Sequence, residues 1–467
     1  MSQTPPEPRS PNADPARGAA FEALRGRIES REAVVAVVGL GYVGLPLLHA
    51  VSRPAAARDG FPTIGLDHDG AKIESLRRGE NYLPHLGHSM AAELSGCDHV
   101  TLTSDPSALA GADAVLICVP TPLDEKHEPD LGAIRRAGRE IAEHALSAGR
   151  TRPLLVVLES TTYPGTTRDV LGAALREGAA GSGAVFLAFS PEREDPGNPD
   201  FETRTIPKLV GGTDADSGTL ARLLYQRIVH TVVPVSSAEV AEAAKLVENI
   251  YRAVNIALVN ELKIALSAMG LDIWEVLDAA ATKPFGFQRF NPGPGFGGHC
   301  VPVDPFYLAW KARQVGTRAD FIELAGHVNR RMPGFVVDQC EAALREDGRP
   351  IAGAKVLVLG LAYKPNIGDV RESPSFELID QLQERGAAVS YHDPYVPRTW
   401  RGRRHDLAMS SVQWTSEDLS TYDLILISTD HDWYDWAFVA RHARLVVDTR
   451  NAIARAGVSG GARVVKA

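Results

Sequence analysis

Short apolar segments bounded by turn residues recur along the first half of the chain, and helix-compatible stretches separate most of them. These segments are residues 34–38, 63–66, 114–119, 154–158 and 185–189. Apolar runs of this length alternating with helical patterns are typical of a parallel sheet covered by helices on both faces. The first half is therefore predicted to be a doubly wound α/β domain.

The pattern changes at residues 237–270, which contain no proline and predict one helix of about 50 Å. A second alternating block follows, with predicted strands at 355–359, 388–391, 424–428 and 445–447 and a helix opened by Ser373 and Pro374. The predicted fold class is α/β, with two Rossmann-like doubly wound parallel-sheet domains joined by a central helical domain. The predicted ranges are a disordered tail at 1–30, followed by domains at 31–235, 236–335 and 336–467.

Composition restricts the possible partners and compartment. The 467 residues carry a formal net charge of -9, which argues against a nucleic acid or an anionic membrane as partner. Four cysteines without a CxxC pair or metal-ligand spacing indicate neither a disulfide framework nor a zinc site, and a reducing cytoplasm fits best. The proline-rich start lacks the apolar region of a signal peptide, and no apolar run approaches the ~18 residues of a membrane span.

The first predicted strand leads into a GxGxxG motif formed by Gly39, Gly41 and Gly44, which opens a helix. Glycines at these positions let the backbone approach a pyrophosphate, whose charge meets the helix N-terminus. Asp67 ends the next predicted strand, where a carboxylate can hold ribose hydroxyls and repel a 2′-phosphate. The motif therefore predicts an NAD site.

Two more residues are candidates for this site. Lys72 lies five residues beyond Asp67 and could cover the adenosine, although a solvated helix lysine fits equally well. Thr121 ends another strand of the same sheet, where the crevice should bind ligand, and a simple turn residue is the alternative.

Cys300 follows a glycine-rich run at 291–299 and precedes a segment in which Pro302 suits the first turn of a helix. A thiol near a helix N-terminus is favoured as thiolate and can act as a nucleophile. An ordinary buried thiol is the alternative for a lone cysteine.

Three polar residues could assist this thiol. Lys245 and Asn249 are four apart on the long predicted helix and share one face, where they could contact a substrate oxygen or simply face solvent. Asp304 lies four residues after Cys300 and could assist proton transfer or cap the following helix. With NAD as hydride acceptor, an alcohol could lose one hydride to give an aldehyde. A thiol could trap this aldehyde as a thiohemiacetal, which loses a second hydride to give a thioester and is then hydrolysed to an acid. This would be a four-electron oxidation.

Several motifs resemble the UDP-glucose/UDP-mannose dehydrogenase family, and the resemblance extends from Val34 to Asn451. They are GLGYVGLP (39–46), CVPTP (118–122), ESTTYPGT (159–166), FSPER (189–193), a helix starting EAAK (242–245) and running to Asn260, GGHC (297–300), GLAYKP (360–365) and DVRES (369–373). Within the family the chain is most similar to bacterial UDP-N-acetylglucosamine 6-dehydrogenases, through CVPTPL (118–123), EPD (128–130), TKPFGF (282–287) and FNPGP (290–294).

The resemblance implies that the C6 hydroxymethyl of a UDP-sugar is oxidised to a carboxylate for surface polysaccharide biosynthesis, with two NAD+ and without a metal. UDP-N-acetylglucosamine is the expected substrate, followed by UDP-N-acetylmannosamine, UDP-glucose and UDP-N-acetylgalactosamine. The resemblance also implies a cytoplasmic homodimer built on the long helix.

The resemblance assigns catalytic roles residue by residue. Cys300 matches the nucleophile, Lys245 an acid/base or oxyanion-stabilising lysine, and Asn249 its helical partner. Asp304 matches an aspartate linked to water activation. Glu192 matches a glutamate implicated in proton transfer during thioester hydrolysis. The second glutamate of the UDP-glucose enzymes, four residues on, is replaced by proline in this chain.

The remaining assignments concern ligand binding, and the resemblance adds Arg371 and the UDP-sugar residues to those already argued from the motif. For the cofactor they comprise Gly39, Gly41, Tyr42, Val43, Gly44, Asp67, Lys72, Thr121 and Arg371. For the UDP-sugar they comprise Arg193, Phe290, Asn291, Gly295, Phe296, Gly297, Tyr363, Lys364 and Arg450. In this assignment the glycines of the 290–297 loop give room to the pyranose.

Two other functions compete. A two-electron hydroxyacid dehydrogenase of the 3-hydroxyisobutyrate or 6-phosphogluconate type would share the first domain and the long helix, but would need neither Cys300 nor a second α/β domain. An inactive nucleotide-sugar or NAD sensor would be expected to have lost Cys300, Lys245 or a motif glycine, and all are present.

Overall fold

The computed structural model describes residues 14–53, 60–83, 89–124, 126, 128–181, 183–193, 203–298, 300–399, 407–458 and 460–467. The chain forms two compact units, Met1–Leu246 and Val247–Ala467.

The first unit contains an eight-stranded sheet in the order β3-β2-β1-β4-β5-β6-β7-β8. Its strands are β1 Val35–Val38, β2 Thr63–Leu66, β3 Val100–Thr103, β4 Ala114–Ile117, β5 Leu154–Leu158, β6 Val185–Phe189, β7 Lys208–Gly212 and β8 Val232–Pro234. Strands β1 to β6 pair in parallel, and β7 runs antiparallel to β6. All five predicted apolar segments form strands. The crossover between β1 and β4 creates the crevice where such sheets bind ligands.

Helices cover both faces of this sheet. They are α1 Pro15–Glu29, α2 Gly44–Ser52, α3 Gly70–Arg77, α4 Ser89–Ser95, α5 Gly132–Glu140, α6 Gly172–Gly178 and α7 Ala215–Tyr225, together with a 3₁₀ turn at Pro106–Gly111 and π-helical turns at Ile141–Ala145 and Thr167–Leu171.

The prediction of a disordered tail at 1–30 is wrong for residues 15–29, which form α1. Asp14 caps this helix by accepting a hydrogen bond from the Ala16 N–H, and a proline occupies its first turn. Phe21, Leu24 and Ile28 lie on one face and are buried in the core of the first unit. Apolar packing therefore holds α1 on the sheet. Residues 1–13 lie outside the described part of the chain.

The predicted long helix is confirmed as α8, Ala238–Ala268, with 31 residues. It begins in the first unit and continues into the second. Three helices follow it, α9 Ile273–Ala281, α10 Asp304–Gln314 and α11 Asp320–Glu346. The predicted domain boundary between residues 335 and 336 falls inside α11 and does not coincide with the end of an element.

The second unit contains a five-stranded parallel sheet in the order β10-β9-β11-β12-β13. Its strands are β9 Lys355–Leu359, β10 Ala388–His392, β11 Leu424–Ile427, β12 Leu445–Asp448 and β13 Arg463–Lys466, and its further helices are α12 Pro374–Glu384, α13 Ser416–Thr421, α14 Trp436–His442 and α15 Ala452–Arg455. All four predicted strands are present. Ser373 caps α12 as predicted, because its side chain accepts a hydrogen bond from the Ser375 N–H.

Among the described residues, every helix is too short or too polar to cross a lipid bilayer.

Candidate active site

The glycine-rich turn between β1 and α2 has the geometry of a dinucleotide cradle. Gly39 has φ +90°, and a Cβ there would lie 2.6 Å from the Cys118 carbonyl oxygen. A Cβ on Gly44 would lie 1.8 Å from the Gly39 carbonyl oxygen, so only glycine lets α2 start this close to the turn. Apart from its chain neighbours, no atom of the described residues lies within 4 Å of a Cβ built on Gly41. The turn is therefore tightly packed on one side and open on the side where a pyrophosphate would approach the helix N-terminus.

Asp67 stands at the carboxyl end of β2, beside this turn. Its Oδ2 accepts a hydrogen bond from the Leu40 N–H at 2.8 Å, and its Oδ1 accepts one from the Asp69 N–H at 2.9 Å. Lys72 donates to the same Oδ2 at 3.1 Å. The structure thus brings Lys72 to the predicted cofactor residue and does not leave it as a solvated helix lysine.

Other residues frame the same cradle. Tyr42 and Val43 are half-buried against the core, and Thr121 is buried after β4. Tyr82, which sequence reasoning missed, donates its hydroxyl to the Leu40 carbonyl oxygen. Burial and the charges of Asp67 and Asp69 raise the pKa of Tyr82, so this hydroxyl stays a donor. An aromatic residue between two helical segments carries no sequence signal for such a contact.

Glu192 and Arg193 follow β6 at the same edge of the sheet. The Glu192 Oε1 accepts a hydrogen bond from the Arg193 N–H at 2.6 Å, and the Arg193 guanidinium donates to the Pro207 carbonyl oxygen at 2.8 Å. The Lys208 ammonium lies 3.6 Å from the Glu192 Oε2. The sequence did not identify Lys208 as a candidate site residue. The position corresponding to the second family glutamate, Pro196, lies outside the described residues.

The start of α8 is anchored to the first unit by Glu242. This buried carboxylate accepts hydrogen bonds from the Gly165 N–H, the Thr167 N–H and the Thr167 hydroxyl, all between 2.6 and 2.8 Å. Burial raises the pKa of Glu242 to about 7 although these hydrogen bonds oppose the shift. Lys245, also buried, follows on the next turn of the helix, so a buried contact fixes the segment that carries it.

Cys300 belongs to the second unit and is exposed, so it is not the ordinary buried thiol. The Asp304 N–H donates to the Cys300 carbonyl oxygen at 2.8 Å, which places the cysteine one turn before α10. The prediction that Pro302 lies in the first helical turn is wrong, because α10 begins at Asp304 and Pro305 is the proline of its first turn. His299 of the GGHC motif lies outside the described residues.

Asp304 is buried and accepts a hydrogen bond from the Asn249 side-chain amide at 2.6 Å. The bond joins α8 to the helix that follows Cys300. Two of the predicted catalytic residues of the second unit are therefore in direct contact, and Asp304 does more than cap a helix.

The loop before Cys300 packs closely on the GLAYKP and DVRES segments. A Cβ on Gly297 would lie 2.7 Å from the Glu372 carbonyl oxygen and from the Tyr363 side chain, and the Gly298 N–H donates to the Arg371 carbonyl oxygen at 2.8 Å. Gly295 has φ +124°. Close packing on protein therefore accounts for glycine at 297, where the family resemblance implied room for a pyranose.

The remaining predicted ligand residues of this loop have separate contacts. Phe290 packs edge-to-face on Tyr251, with ring centroids 5.7 Å apart. The Asn291 side-chain oxygen accepts a hydrogen bond from Arg289 at 3.0 Å. Phe296 lies with Ala253 and Val254 of α8 around a small cavity.

Tyr363, Lys364 and Arg371 lie on segments following β9. Asp369 holds the Arg371 guanidinium through two nitrogens, with Nη2 at 2.6 Å. Tyr363 and Lys364 are half-buried.

Asp393, which sequence reasoning missed, fixes the start of the GLAYKP segment by accepting from the Leu361 and Ala362 N–H groups and from His431. Burial opposes its ionisation, but these hydrogen bonds outweigh burial and lower the pKa of Asp393. The segment is thus held in place by a carboxylate at the end of β10.

Arg450 follows β12 and donates its Nε to the Ser428 carbonyl oxygen at 2.7 Å. A Cβ on Gly293 would lie 2.6 Å from the Arg450 Nη1, so the guanidinium packs on the loop that leads to Cys300. Lys263 of α8 is buried nearby, and its ammonium has no hydrogen-bond partner among the described residues. Burial lowers the pKa of Lys263 to about 7.

Models of three domains of one family match the chain. The UDP-glucose/GDP-mannose dehydrogenase NAD binding domain matches residues 33–229, the central domain 239–331, and the UDP binding domain 357–455. The chain belongs to this family. The family includes GDP-mannose dehydrogenases, so the expected name UDP-mannose is wrong. The protein is an NAD-dependent UDP-sugar dehydrogenase, and the predicted cofactor and fold class are confirmed.

Two relatives align with this chain over most of the length of both proteins. The UDP-N-acetyl-D-glucosamine 6-dehydrogenase of Pseudomonas aeruginosa is 34% identical over 400 residues, which are 85% of this chain and 90% of the relative. The UDP-N-acetyl-D-mannosamine dehydrogenase of Pyrococcus horikoshii is 33% identical over 433 residues, 90% of this chain and 96% of the relative.

Solved structures agree on the fold. A UDP-D-ManNAc dehydrogenase structure from Pyrococcus horikoshii has a TM-score of 0.78 at 30% identity, covering 92% of this chain and 98% of that chain. A UDP-glucose dehydrogenase from Pyrobaculum islandicum has a TM-score of 0.79 at 28% identity, covering 91% and 96%.

Proposed function

We propose that the protein oxidises the C6 hydroxymethyl of UDP-N-acetyl-D-glucosamine to the uronic acid in a four-electron reaction with Cys300 as nucleophile. The observation that carries this proposal is the exposed thiol of Cys300, one turn before Asp304, which is itself hydrogen-bonded to Asn249. A two-electron dehydrogenase has no use for a nucleophile at this place. Among the relatives, those acting on N-acetylglucosamine in Pseudomonas aeruginosa and Salmonella typhi favour this sugar.

The cofactor cradle fits NAD. The open side of Gly41 leaves space for a pyrophosphate, and Asp67 is placed to receive ribose hydroxyls while opposing a 2′-phosphate. We assign Gly39, Gly41, Tyr42, Val43 and Gly44 to this cradle, and we also assign Asp67, Lys72, Thr121 and Arg371 to cofactor binding. NAD, when bound, accepts the hydride of each oxidation step.

The chain's own residues perform the remaining work. Cys300 attacks the C6 aldehyde to give a thiohemiacetal, whose oxidation leaves a thioester. Lys245 and Asn249 stabilise the developing oxyanion, because an ammonium and an amide are donors suited to that charge. Water then attacks the thioester carbon with Asp304 and Glu192 assisting proton transfer, the C–S bond breaks, and the acid is released.

The UDP-sugar is proposed to contact the loop around Phe290, Asn291, Gly295, Phe296 and Gly297. Arg193, Tyr363, Lys364 and Arg450 complete the proposed substrate set, and the cations among them suit a diphosphate. In this proposal residues 31–235 bind NAD, 236–335 carry catalysis and dimerisation, and 336–467 bind the UDP moiety.

Initial rates with UDP-GlcNAc, UDP-ManNAc, UDP-GalNAc and UDP-glucose test the substrate. We expect kcat/KM to be highest for UDP-GlcNAc by at least tenfold, because one misplaced substituent in a built pocket costs about 1–3 kcal/mol. A preference for UDP-ManNAc, which relatives in Pyrococcus and Methanococcus act on, would replace the sugar while keeping the reaction.

The proposal includes a cytoplasmic homodimer built on α8, serving surface polysaccharide synthesis. Val247, Tyr251, Leu258 and Leu262 are exposed on this helix at spacings of four, seven and four residues, which put them on one stripe. An exposed apolar stripe of this length is typical of a helix seam. Leu258→Asp should convert the dimer to monomer in light scattering, whereas Val315→Asp, at an exposed apolar residue outside the stripe, should not. A wild-type monomer would contradict this part of the proposal.

A further inference from the structure

The core of the first unit contains an ion pair that the catalytic assignment does not use. The Lys208 ammonium lies 2.5 Å from the Glu159 Oε2, and both side chains are almost fully buried, with 5% and 0% exposure. Tyr225 donates its hydroxyl to the other Glu159 oxygen. A buried charge is stable only when it is paired and hydrogen-bonded, so these three side chains form one unit at the ends of β5, β7 and α7.

Lys208 also faces a second carboxylate. Its ammonium lies 3.6 Å from the Glu192 Oε2, a distance of ionic attraction and not of a short hydrogen bond. The other Glu192 oxygen is held by the Arg193 N–H at 2.6 Å. Glu192 is therefore fixed on one side by the backbone and on the other by a charge that comes from the protein interior.

The charge of Lys208 is secured by its surroundings. Burial alone would lower its pKa, but the charges of Glu159 and Glu192 outweigh burial and raise the pKa of Lys208 above its ordinary value. The groups that face it are Glu159, Glu192, Tyr225 and the Cys118 thiol at the end of β4. A single cation thus stands between two carboxylates, one sealed in the core and one at the edge of the sheet.

We propose that Lys208 is a positioning residue, which holds the Glu192 carboxylate by ionic attraction for its part in thioester hydrolysis, and that Glu159 competes with Glu192 for the same charge. This inference rests on the proposed function. In thioester hydrolysis, Glu192 takes a proton from the attacking water as the water oxygen bonds to the acyl carbon. The C–S bond then breaks, and the proton passes to the Cys300 sulfur. A glutamate that loses its charge cannot accept the proton, and a cation within ionic distance favours the charged form of a carboxylate.

The test uses two variants with opposite expected effects. Glu159→Gln removes the competing carboxylate and leaves the Lys208 charge to Glu192 alone. The acidic limb of the pH–rate profile for hydrolysis should therefore move to lower pH. Lys208→Met combined with Glu159→Gln removes the charges of the buried pair together and keeps side-chain volume, so the limb should move up by about one to three pH units.

The rate to follow is that of hydrolysis of the acyl group on Cys300, measured in a single turnover by acid quench and intact-protein mass. Tyr225→Phe is the matched control, since it removes a hydrogen bond of the same cluster without changing the charge beside Glu192. It should lower the melting temperature and leave the limb in place.

The outcomes separate the two proposals. If wild-type protein forms no acyl-enzyme with any UDP-sugar, the proposed function fails before Lys208 is tested. If wild type forms and hydrolyses the acyl-enzyme, the role of Lys208 is overturned when the acidic limb of the pH–rate profile stays fixed or moves to higher pH in Glu159→Gln. If the double variant does not fold, the downward shift in Glu159→Gln still decides the question.

Discussion

Alanine substitutions at two glycines of the glycine-rich turn should weaken NAD binding for different reasons. Gly44→Ala places a methyl group 1.8 Å from the Gly39 carbonyl oxygen, well over an ångström inside normal contact. Gly41→Ala places a methyl group more than 4 Å from every atom that the structure describes beyond the adjacent residues. The first change should distort the start of α2, and the second should leave the fold intact while obstructing the pyrophosphate.

The magnitudes follow from these distances. Overpacking of this kind costs about 1–3 kcal/mol, so Gly44→Ala should lose stability and NAD affinity together. Gly41→Ala should keep its melting temperature but weaken NAD binding at least tenfold, equivalent to about 1.4 kcal/mol. Gly26→Ala is the control. That glycine lies in α1, and outside the helix's own backbone no described atom lies within 4 Å of the added Cβ. The variant should therefore gain about 0.5–1 kcal/mol of stability and bind NAD normally.

Calorimetric titration with NAD+ and thermal unfolding of the three variants measure both effects. Undiminished NAD binding in Gly41→Ala would refute the placement of the pyrophosphate. An unchanged melting temperature in Gly44→Ala would refute the packing argument.

Three further changes probe other parts of the account. Asp304→Asn keeps the contact with Asn249 but removes the charge, and should lower kcat by about 10²–10⁴-fold with little change in melting temperature; normal turnover would exclude Asp304 from proton transfer. Because burial lowers the pKa of Lys263 to about 7, the unfolded chain binds more protons than the folded protein between pH 7 and the ordinary lysine pKa. Wild-type stability should therefore rise with pH there by up to about 5 kcal/mol. Lys263→Met should abolish that rise in chemical denaturation, and an equal rise in both proteins would contradict it. Phe21→Ala should lower the free energy of unfolding by about 3–5 kcal/mol, because Phe21 is buried in the core. Arg25→Ala, at an exposed position of the same helix, should lower it little. Equal losses in the two variants would contradict the packing of α1 on the core.

Much of the fold could be predicted because its elements are long or strongly apolar. The helix Ala238–Ala268 differs from its predicted range by only one or two residues at each end. The strand Val100–Thr103 was missed because half of it is threonine and it lies at the sheet edge, where burial is incomplete. The helix Pro15–Glu29 was missed because charged residues surround its three core positions and a proline-rich stretch precedes it.

The site residues likewise fall into those that a local motif predicts and those that only the folded structure brings together. Gly39, Gly44 and Cys300 stand in motifs whose spacing carries the chemistry, so local sequence suffices. The contact of Lys208 with Glu159 joins residues 49 apart, and neither residue signals the other until the sheet forms. The Asn249–Asp304 bond spans 55 positions and is likewise a product of helix packing.

The central claim is a four-electron oxidation through Cys300, and the most direct measurement is the number of NADH formed per UDP-sugar consumed. With limiting UDP-N-acetylglucosamine, excess NAD+ and wild-type protein, absorbance should report two NADH per sugar and chromatography the uronic acid. Cys300→Ala, at an exposed position, should fold normally and form no acid. One NADH per sugar with the wild type, or acid formation by Cys300→Ala, would contradict the account.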